Sequence, residues 1–313
     1  MATTHLSRRD ALALLAATAL ARPSFARPPA ICTLSIGTYS LKTMSLADAV
    51  TLVADTGYDG IEFAVMPGLA ADPATLAADD RRDLAKRLAD RGLRPTALME
   101  NLAPDADAVK HKAQTDRVRA AMALARDLNP KAPPLLQTIL GGSGTFEAKK
   151  ALFRDRVGDW LKVADDIGVV LAVKPHRGGA FSRPAEAVWL IDQLGGSKRL
   201  RMVYDYSHYA FTDMTLEGSV QTSLPVLAHV AVKDPLKQGD KVAFVLPGAG
   251  GTVDYPKLFS LLNAGGYRGD ICCEVSSMVW NKAGYDPVAA AKVCYKAIAQ
   301  AMETAGVPRP RSV

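Results

Sequence analysis

The sequence predicts an α/β fold, a single (β/α)8 TIM barrel, on three observations. Eight short apolar runs alternate with longer segments of helical periodicity, the pattern of βα units around a parallel sheet. The chain has 313 residues, and barrels of this type take roughly 250. No G-x-G-x-x-G follows the first run, which argues against an open dinucleotide-binding sheet. A doubly wound sheet is the alternative, and the number of runs favours closure.

The chain opens with a leader. Ser7-Arg8-Arg9-Asp10 precedes an Ala- and Leu-rich stretch from Ala11 to Leu20, and Ser24-Phe25-Ala26 supplies a small-x-small cleavage site. Residues 1–26 are therefore expected to be a twin-arginine signal peptide and residues 27–313 the barrel. The competing reading is a frayed N-terminal helix of a cytoplasmic protein. The leader's apolar stretch is too short to span a bilayer, and no later one reaches the about 18 uninterrupted apolar residues a span needs. The expectation is a periplasmic or otherwise exported protein with no membrane association after signal removal. Without the leader, 287 residues remain and the net charge falls from +6 to +4, because three arginines leave with one aspartate.

The eight strands are expected at Leu34–Tyr39, Gly60–Phe63, Pro95–Leu98, Leu135–Leu140, Val169–Val173, Arg201–Tyr204, Ala228–Val232 and Asp270–Val275. The first helix is expected at Ser45–Asp55, where Leu46, Val50 and Val53 recur at helical spacing and Ser45 can cap the start. Gly57 stops it. Further helices are expected at Arg81–Arg91, Lys112–Arg126, Ala148–Ile167, Arg183–Leu194, Tyr255–Ala264 and Asp286–Ala305, and Thr215–Leu227 carries the weakest helical pattern.

An apolar fraction of 49% with 22% charged residues excludes a disordered chain. No basic run is interleaved with aromatics, so nucleic acid is not the expected partner. Cys32, Cys272, Cys273 and Cys294 form no C-x-x-C, so they read as small buried apolar residues before any redox role. Nothing in the sequence selects an oligomeric state.

Active sites of such barrels sit at the C-terminal ends of the strands. Those ends carry Glu62, Glu100, Lys174-Pro175-His176-Arg177, Asp205 with His208, Lys233-Asp234 and Glu274, while His229 lies early in its strand. Singly, each reads first as a buried residue closing a loop; together they read as a site. Asp205, His229 and Glu274 offer two carboxylates and an imidazole, a mix suited to Mn²⁺, Mg²⁺, Co²⁺ or Zn²⁺ with positions left open.

Here a resemblance enters. Gly57-Tyr58-Asp59-Gly60-Ile61-Glu62, Asp205-x-x-His208, His229-x-x-x-Lys233-Asp234, Gly248-Ala249-Gly250-x-x-x-Asp254, Gly266-Tyr267-x-Gly269 and Glu274 resemble the xylose isomerase-like TIM barrels over about residues 33 to 305. That superfamily holds sugar isomerases and epimerases, inosose dehydratases, hydroxypyruvate isomerases and endonuclease IV-type repair enzymes. The resemblance implies a metal held by a Glu ending strand five, an Asp ending strand six, a His in strand seven and a Glu ending strand eight. The last three fall on Asp205, His229 and Glu274; the first falls on Lys174, a departure. An ammonium has three donors and no acceptor, so it cannot ligate a metal.

Three outcomes follow for Lys174. The metal persists on three ligands with the lysine set aside in an ion pair. Or the lysine replaces the metal, stabilising an enolate or alkoxide. Or its pKa is lowered among Arg177 and Lys233 and it serves as base or Schiff-base nucleophile. A structural ion pair in an inactive protein is the fourth reading.

The implied chemistry is proton abstraction next to a carbonyl on an unphosphorylated sugar or keto-sugar, giving isomerisation, epimerisation or a 3-keto-glycoside elimination. Lys174, Glu274 and His208 are the expected catalytic residues, the last two as candidate bases. Glu62, His176, Arg177 and Lys233 are expected to bind substrate, with Tyr39, Met278 and Trp280 near the sugar face. Gly248-Ala249-Gly250-Gly251 reads as an anion cradle or as a plain turn. Two other classes compete: a non-catalytic periplasmic carbohydrate-binding barrel, and an endonuclease IV-like enzyme, for which the four histidines outside the leader are few.

Overall fold

The computed structural model describes residues 31–310; the expected leader lies outside them. Eight parallel strands close into one barrel: β1 (Thr33–Gly37), β2 (Gly60–Ala64), β3 (Arg94–Asn101), β4 (Leu135–Ile139), β5 (Leu171–Lys174), β6 (Leu200–Tyr204), β7 (Leu227–Val232) and β10 (Asp270–Cys273), with β10 pairing back onto β1. Between β7 and β10 an antiparallel hairpin, β8 (Asp234–Gln238) and β9 (Lys241–Val245), stands apart from the barrel. It was not expected. Gln238 pairs with Lys241 across Gly239-Asp240, and Gly239 has φ +59°, as the tight turns that match strand twist require.

The helices follow the apolar periodicity. They are α1 (Leu46–Thr56), α2 (Ala78–Asp90), α3 (Ala108–Leu128), α4 (Phe146–Ile167), α5 (Pro184–Gln193), α6 (Leu216–Ser223), α7 (Tyr255–Ala264), a single turn α8 (Ser277–Trp280) and α9 (Pro287–Thr304). The Ser45 side chain caps α1 by accepting from the Asp48 amide. In α4, Phe153, Val157, Trp160, Leu161 and Ala164 are buried, the i, i+4, i+7, i+8 stripe of a helix laid on a sheet. The weakly patterned Thr215–Leu227 segment divides into α6, a 3-10 turn at Leu224–Val226 and the start of β7. All four cysteines are free and buried, packed as small apolar residues.

Barrel closure leaves no room for a side chain at Gly60. A Cβ there would lie 2.5 Å from Thr96 Cγ2 and 2.6 Å from the Arg94 carbonyl oxygen, both on β3. Gly60→Ala should therefore destabilise the protein by roughly 1–3 kcal/mol through overpacking. An unchanged denaturant midpoint would contradict this β2–β3 register.

Candidate active site

Alternation along the barrel strands decides which side chains share a face. Ala172 precedes Lys174 by two positions, Val203 precedes Asp205, and Ala231 separates His229 from Lys233. Ala172, Val203 and Ala231 pack together with Leu135 of β4 against them, an apolar floor across the barrel. Lys174, Asp205, Lys233 and Glu274, each within 9% exposure, stand one layer above it at the strand ends.

Two ammoniums bridge two carboxylates there. Lys174 Nζ donates to Glu274 Oε2, and Lys233 Nζ donates to Glu274 Oε1 at 2.5 Å. Asp205 Oδ2 lies 3.2 Å from Lys233 Nζ and 4.0 Å from Lys174 Nζ. Asp205 Oδ1 accepts from the Ser207 amide at 3.1 Å and its hydroxyl at 2.6 Å, which orients the carboxylate. Burial works against the charges of Lys174, Asp205 and Glu274, but the pairing outweighs it. Glu274 is held well below the usual carboxylate range by Lys174 and Lys233, and Asp205 by Lys233, His208 and Lys174. Glu274 and Asp205 in turn keep Lys174 protonated, above the usual lysine range. A lysine so held is neither base nor Schiff-base nucleophile, which removes that expectation for Lys174.

Two imidazoles flank the cluster. His208 is fully buried, with Nε2 3.3 Å from Asp205 Oδ2. Its ring lies 3.8 Å, centroid to centroid, from that of half-buried His176. Burial and Lys233 push His208 down to about 3; burial, Lys233 and Lys174 push His176 down to about 4. Both are neutral at pH 7. His176 Nδ1 is 2.8 Å from the Arg177 carbonyl oxygen, which can only accept, so Nδ1 carries the proton and Nε2 is the basic nitrogen.

A cavity of about 200 Å³ opens above the cluster, lined by Lys174, Lys233, Glu274 and His176, by Glu100 and Gln137, and by Tyr39 and Phe244. This is smaller than the roughly 300–1,000 Å³ of pockets for drug-sized ligands and suits one sugar unit. Glu100 is a second group able to exchange a proton. Burial raises it, against the Asn101 amide and Arg117.

The structure thus brings Lys174, Glu274, Asp205, Lys233, His208 and His176 together. His208 lies behind His176 and does not line the cavity. His229 is elsewhere. It sits two residues back along β7 from Ala231, about 6.6 Å down the strand, in register with Val203 of β6. Its Nε2 is 3.4 Å from Glu62 Oε2, and Gln137 Nε2 donates to the same Glu62 oxygen. Among the described residues, the three potential ligands that lie within 4.8 Å of one another are Glu62, His229 and Cys272, all buried. Asp205, His229 and Glu274 form no such set, so the expected metal triad is corrected. The strand-end donors do not fit a divalent ion, because the space between the Asp205 and Glu274 carboxylates is held by two ammoniums. Glu62, facing His229, does not line the cavity either. Arg177 is likewise turned away: its Nη2 donates to the Ala210 carbonyl at 2.6 Å.

Other expectations find plain structural roles. The Gly250 amide donates to Asp234 Oδ2 at 2.7 Å, so the glycine loop ties the hairpin base rather than cradling an anion. Tyr39 lines the cavity and packs edge-on against Trp280, centroids 5.0 Å apart. Phe244, Gln137 and Glu100 join the site without having been assigned a role. Phe244 comes from the unexpected hairpin and lies 4.9 Å from Lys233 Nζ.

The family described as xylose isomerase-like TIM barrel matches residues 50–297. Curated relatives from Mus musculus and Homo sapiens, both carrying the name hydroxypyruvate isomerase, are 28% and 27% identical over 110 residues. That match spans 33% of this chain and 37% of theirs, so the chain covers little more than a third of those relatives. Similar solved folds include an L-ribulose 3-epimerase (TM-score 0.68, 20% identity, 88% of this chain and 96% of that one). Others are the Escherichia coli 3-keto-D-glucoside 4-epimerase YcjR (0.65, 15%, 86% and 99%) and an IolI protein with a bound zinc atom (0.70, 17%, 86% and 98%).

Proposed function

The chain belongs to the xylose isomerase-like TIM barrel family, and from that premise we propose that it is a sugar isomerase or epimerase acting by proton transfer next to a carbonyl on an unphosphorylated sugar or keto-sugar. The observation that carries this reading is the cavity floor, where a neutral imidazole faces the same small space as two buried ammoniums. A carbon acid next to a carbonyl needs those two elements: a base for the proton, and positive charge beside the oxygen that becomes an enediolate.

His176 is the base in this reading. Its Nε2 lone pair takes the proton, and the C–H electron pair moves into the enediolate. Lys174 and Lys233 stabilise the developing oxyanion with N–H groups. Returning the proton to the opposite face of the same carbon epimerises; returning it to the neighbouring carbon isomerises. Glu100 is the second proton carrier on the cavity wall. Glu274 and Asp205 are too strongly held by the lysines to act as bases, and they serve to place the ammoniums. The aromatic faces of Tyr39 and Phe244 pack the sugar's apolar side.

A divalent ion, where one is carried, finds its ligand types at Glu62, His229 and Cys272, none of which lines the cavity. The leader motif supports export by the twin-arginine route, and no helix among the described residues is long and apolar enough to cross a membrane. An exported enzyme meets free sugars rather than sugar phosphates. Elimination from a 3-keto-glycoside uses the same carbanion and is the second reading, favoured by the same lysine pair.

The test is solvent exchange. Incubating the protein in deuterated water with a panel of ketoses, keto-glycosides and hydroxypyruvate should remove the proton NMR signal next to the carbonyl of at least one of them. Absence of exchange across the panel would leave the carbohydrate-binding barrel as the better description.

A further inference from the structure

We propose that the Lys174–Lys233 ammonium pair takes the place of a divalent cation at the strand ends, so that proton transfer in this barrel runs without a metal. The inference deepens the sugar-enzyme reading and rests on it only for its kinetic arm.

Charge is the first support. The two ammoniums together carry the formal charge of one divalent ion, and they are shared between Glu274 and Asp205 much as an ion would be. The cluster is electrically closed, two positive groups with two negative ones. An ion placed to use both carboxylates would have to displace two ammoniums that are only 3–4% exposed and already paired with them.

The floor is the second support. A ligand reaching this layer from β7 would have to come from the face that carries Lys233 above and His229 below. Between them stands Ala231, 1% exposed and packed on Ala172 and Val203, which offers only a methyl group. The imidazole on that face, His229, is buried against Glu62 instead. Two positions facing the strand-end layer, Lys174 and Ala231, therefore both lack a ligand atom.

Donor geometry is the third. An ammonium has three N–H groups. Lys174 gives one to Glu274, and Lys233 gives one to Glu274 with a second toward Asp205. Each retains a donor, and both side chains line the cavity. The Phe244 ring lies beside Lys233, its centroid 4.9 Å from Nζ. The arrangement resembles an oxyanion hole built from fixed charge, already in place before substrate arrives.

The experiment titrates full-length wild-type protein with MnCl2 after dialysis against EDTA. Binding is followed by the electron paramagnetic resonance of free Mn²⁺ and by the thermal midpoint. The expected result is no bound Mn²⁺ at the strand ends and the same midpoint with EDTA or Mn²⁺. Binding that persists in His229→Gln would overturn the proposal. Binding lost in His229→Gln would place the ion at the Glu62, His229 and Cys272 group and support a metal-free mouth. Lys174→Glu supplies the missing carboxylate and should bind Mn²⁺ at least about tenfold more tightly than wild type, with a midpoint raised by the ion. Equal affinity would show that Lys174 does not hold the cation's place. If Lys174→Glu does not fold, the wild-type and His229→Gln titrations decide alone. If no sugar exchanges a proton, the functional reading fails while the Mn²⁺ titration still decides this one.

Discussion

Lys174→Met should cost the fold about 3–5 kcal/mol, because it leaves a buried carboxylate pair with one ammonium in place of two. Lys174 is 3% exposed and Glu274 9%, so solvent compensates the lost partner only in part. Glu274 would lose the donor on Oε2, and its carboxyl would rise toward the usual range. The denaturant midpoint measures the stability loss. Any activity should fall by a further 10²–10³, roughly the effect of removing one preorganised donor to an oxyanion. The two effects separate in their kinetics: a purely structural lysine would lower the amount of folded enzyme and leave kcat per folded molecule unchanged. Loss of kcat with retained KM in the folded fraction is the expected outcome.

His176→Gln should lower kcat by roughly 10²–10⁴, the range for a removed general base. The wild-type pH profile carries the diagnostic. Burial, Lys233 and Lys174 push His176 down to about 4, so Nε2 is free above that pH and protonated below it. Activity should rise with pH through a limb near about 4 and then level off; the residual activity of His176→Gln should lack that limb. The same shift affects stability with a definite sign. In the unfolded chain a histidine titrates near about 6.5, above its folded value, so the unfolded state binds the extra proton first. The stabilisation is complete above about 6.5 and is lost as pH falls toward the folded value. A profile with no limb near about 4 would remove His176 as the base, and a limb above the usual carboxylate range instead would assign that role to Glu100.

Much of this fold could be read in the sequence because barrel strands are buried on both faces. Near-continuous apolar runs bounded by glycine marked every barrel strand to within a few residues; the start of β6 was set one residue late, and β3 runs on to Asn101. The hairpin β8–β9 was missed because its first strand is short, mostly polar and carries Pro235, though Gly239-Asp240 between two short runs is the signal that would have found it. The site was legible as a set of strand-end residues but not as a geometry. Counting in twos back from Lys233 puts Ala231, not His229, in the next layer, and that count alone would have moved His229 away from the strand ends. The ligand role expected for His229 fails on depth, since it shares a face with Lys233 but lies two positions of that face further from the strand end. The stacking of His176 on His208, and the Arg177 carbonyl that sets the His176 tautomer, depend on loop conformations after β5 and β6 that no sequence period specifies.

Deuterium incorporation by metal-stripped wild-type protein tests the lysine-for-metal site most directly. Protein dialysed exhaustively against EDTA and incubated with a reactive ketose in deuterated water should place deuterium on the carbon next to the carbonyl, at the rate seen before dialysis and unchanged by added Mn²⁺. Incorporation that stops on dialysis and returns with Mn²⁺ would contradict it.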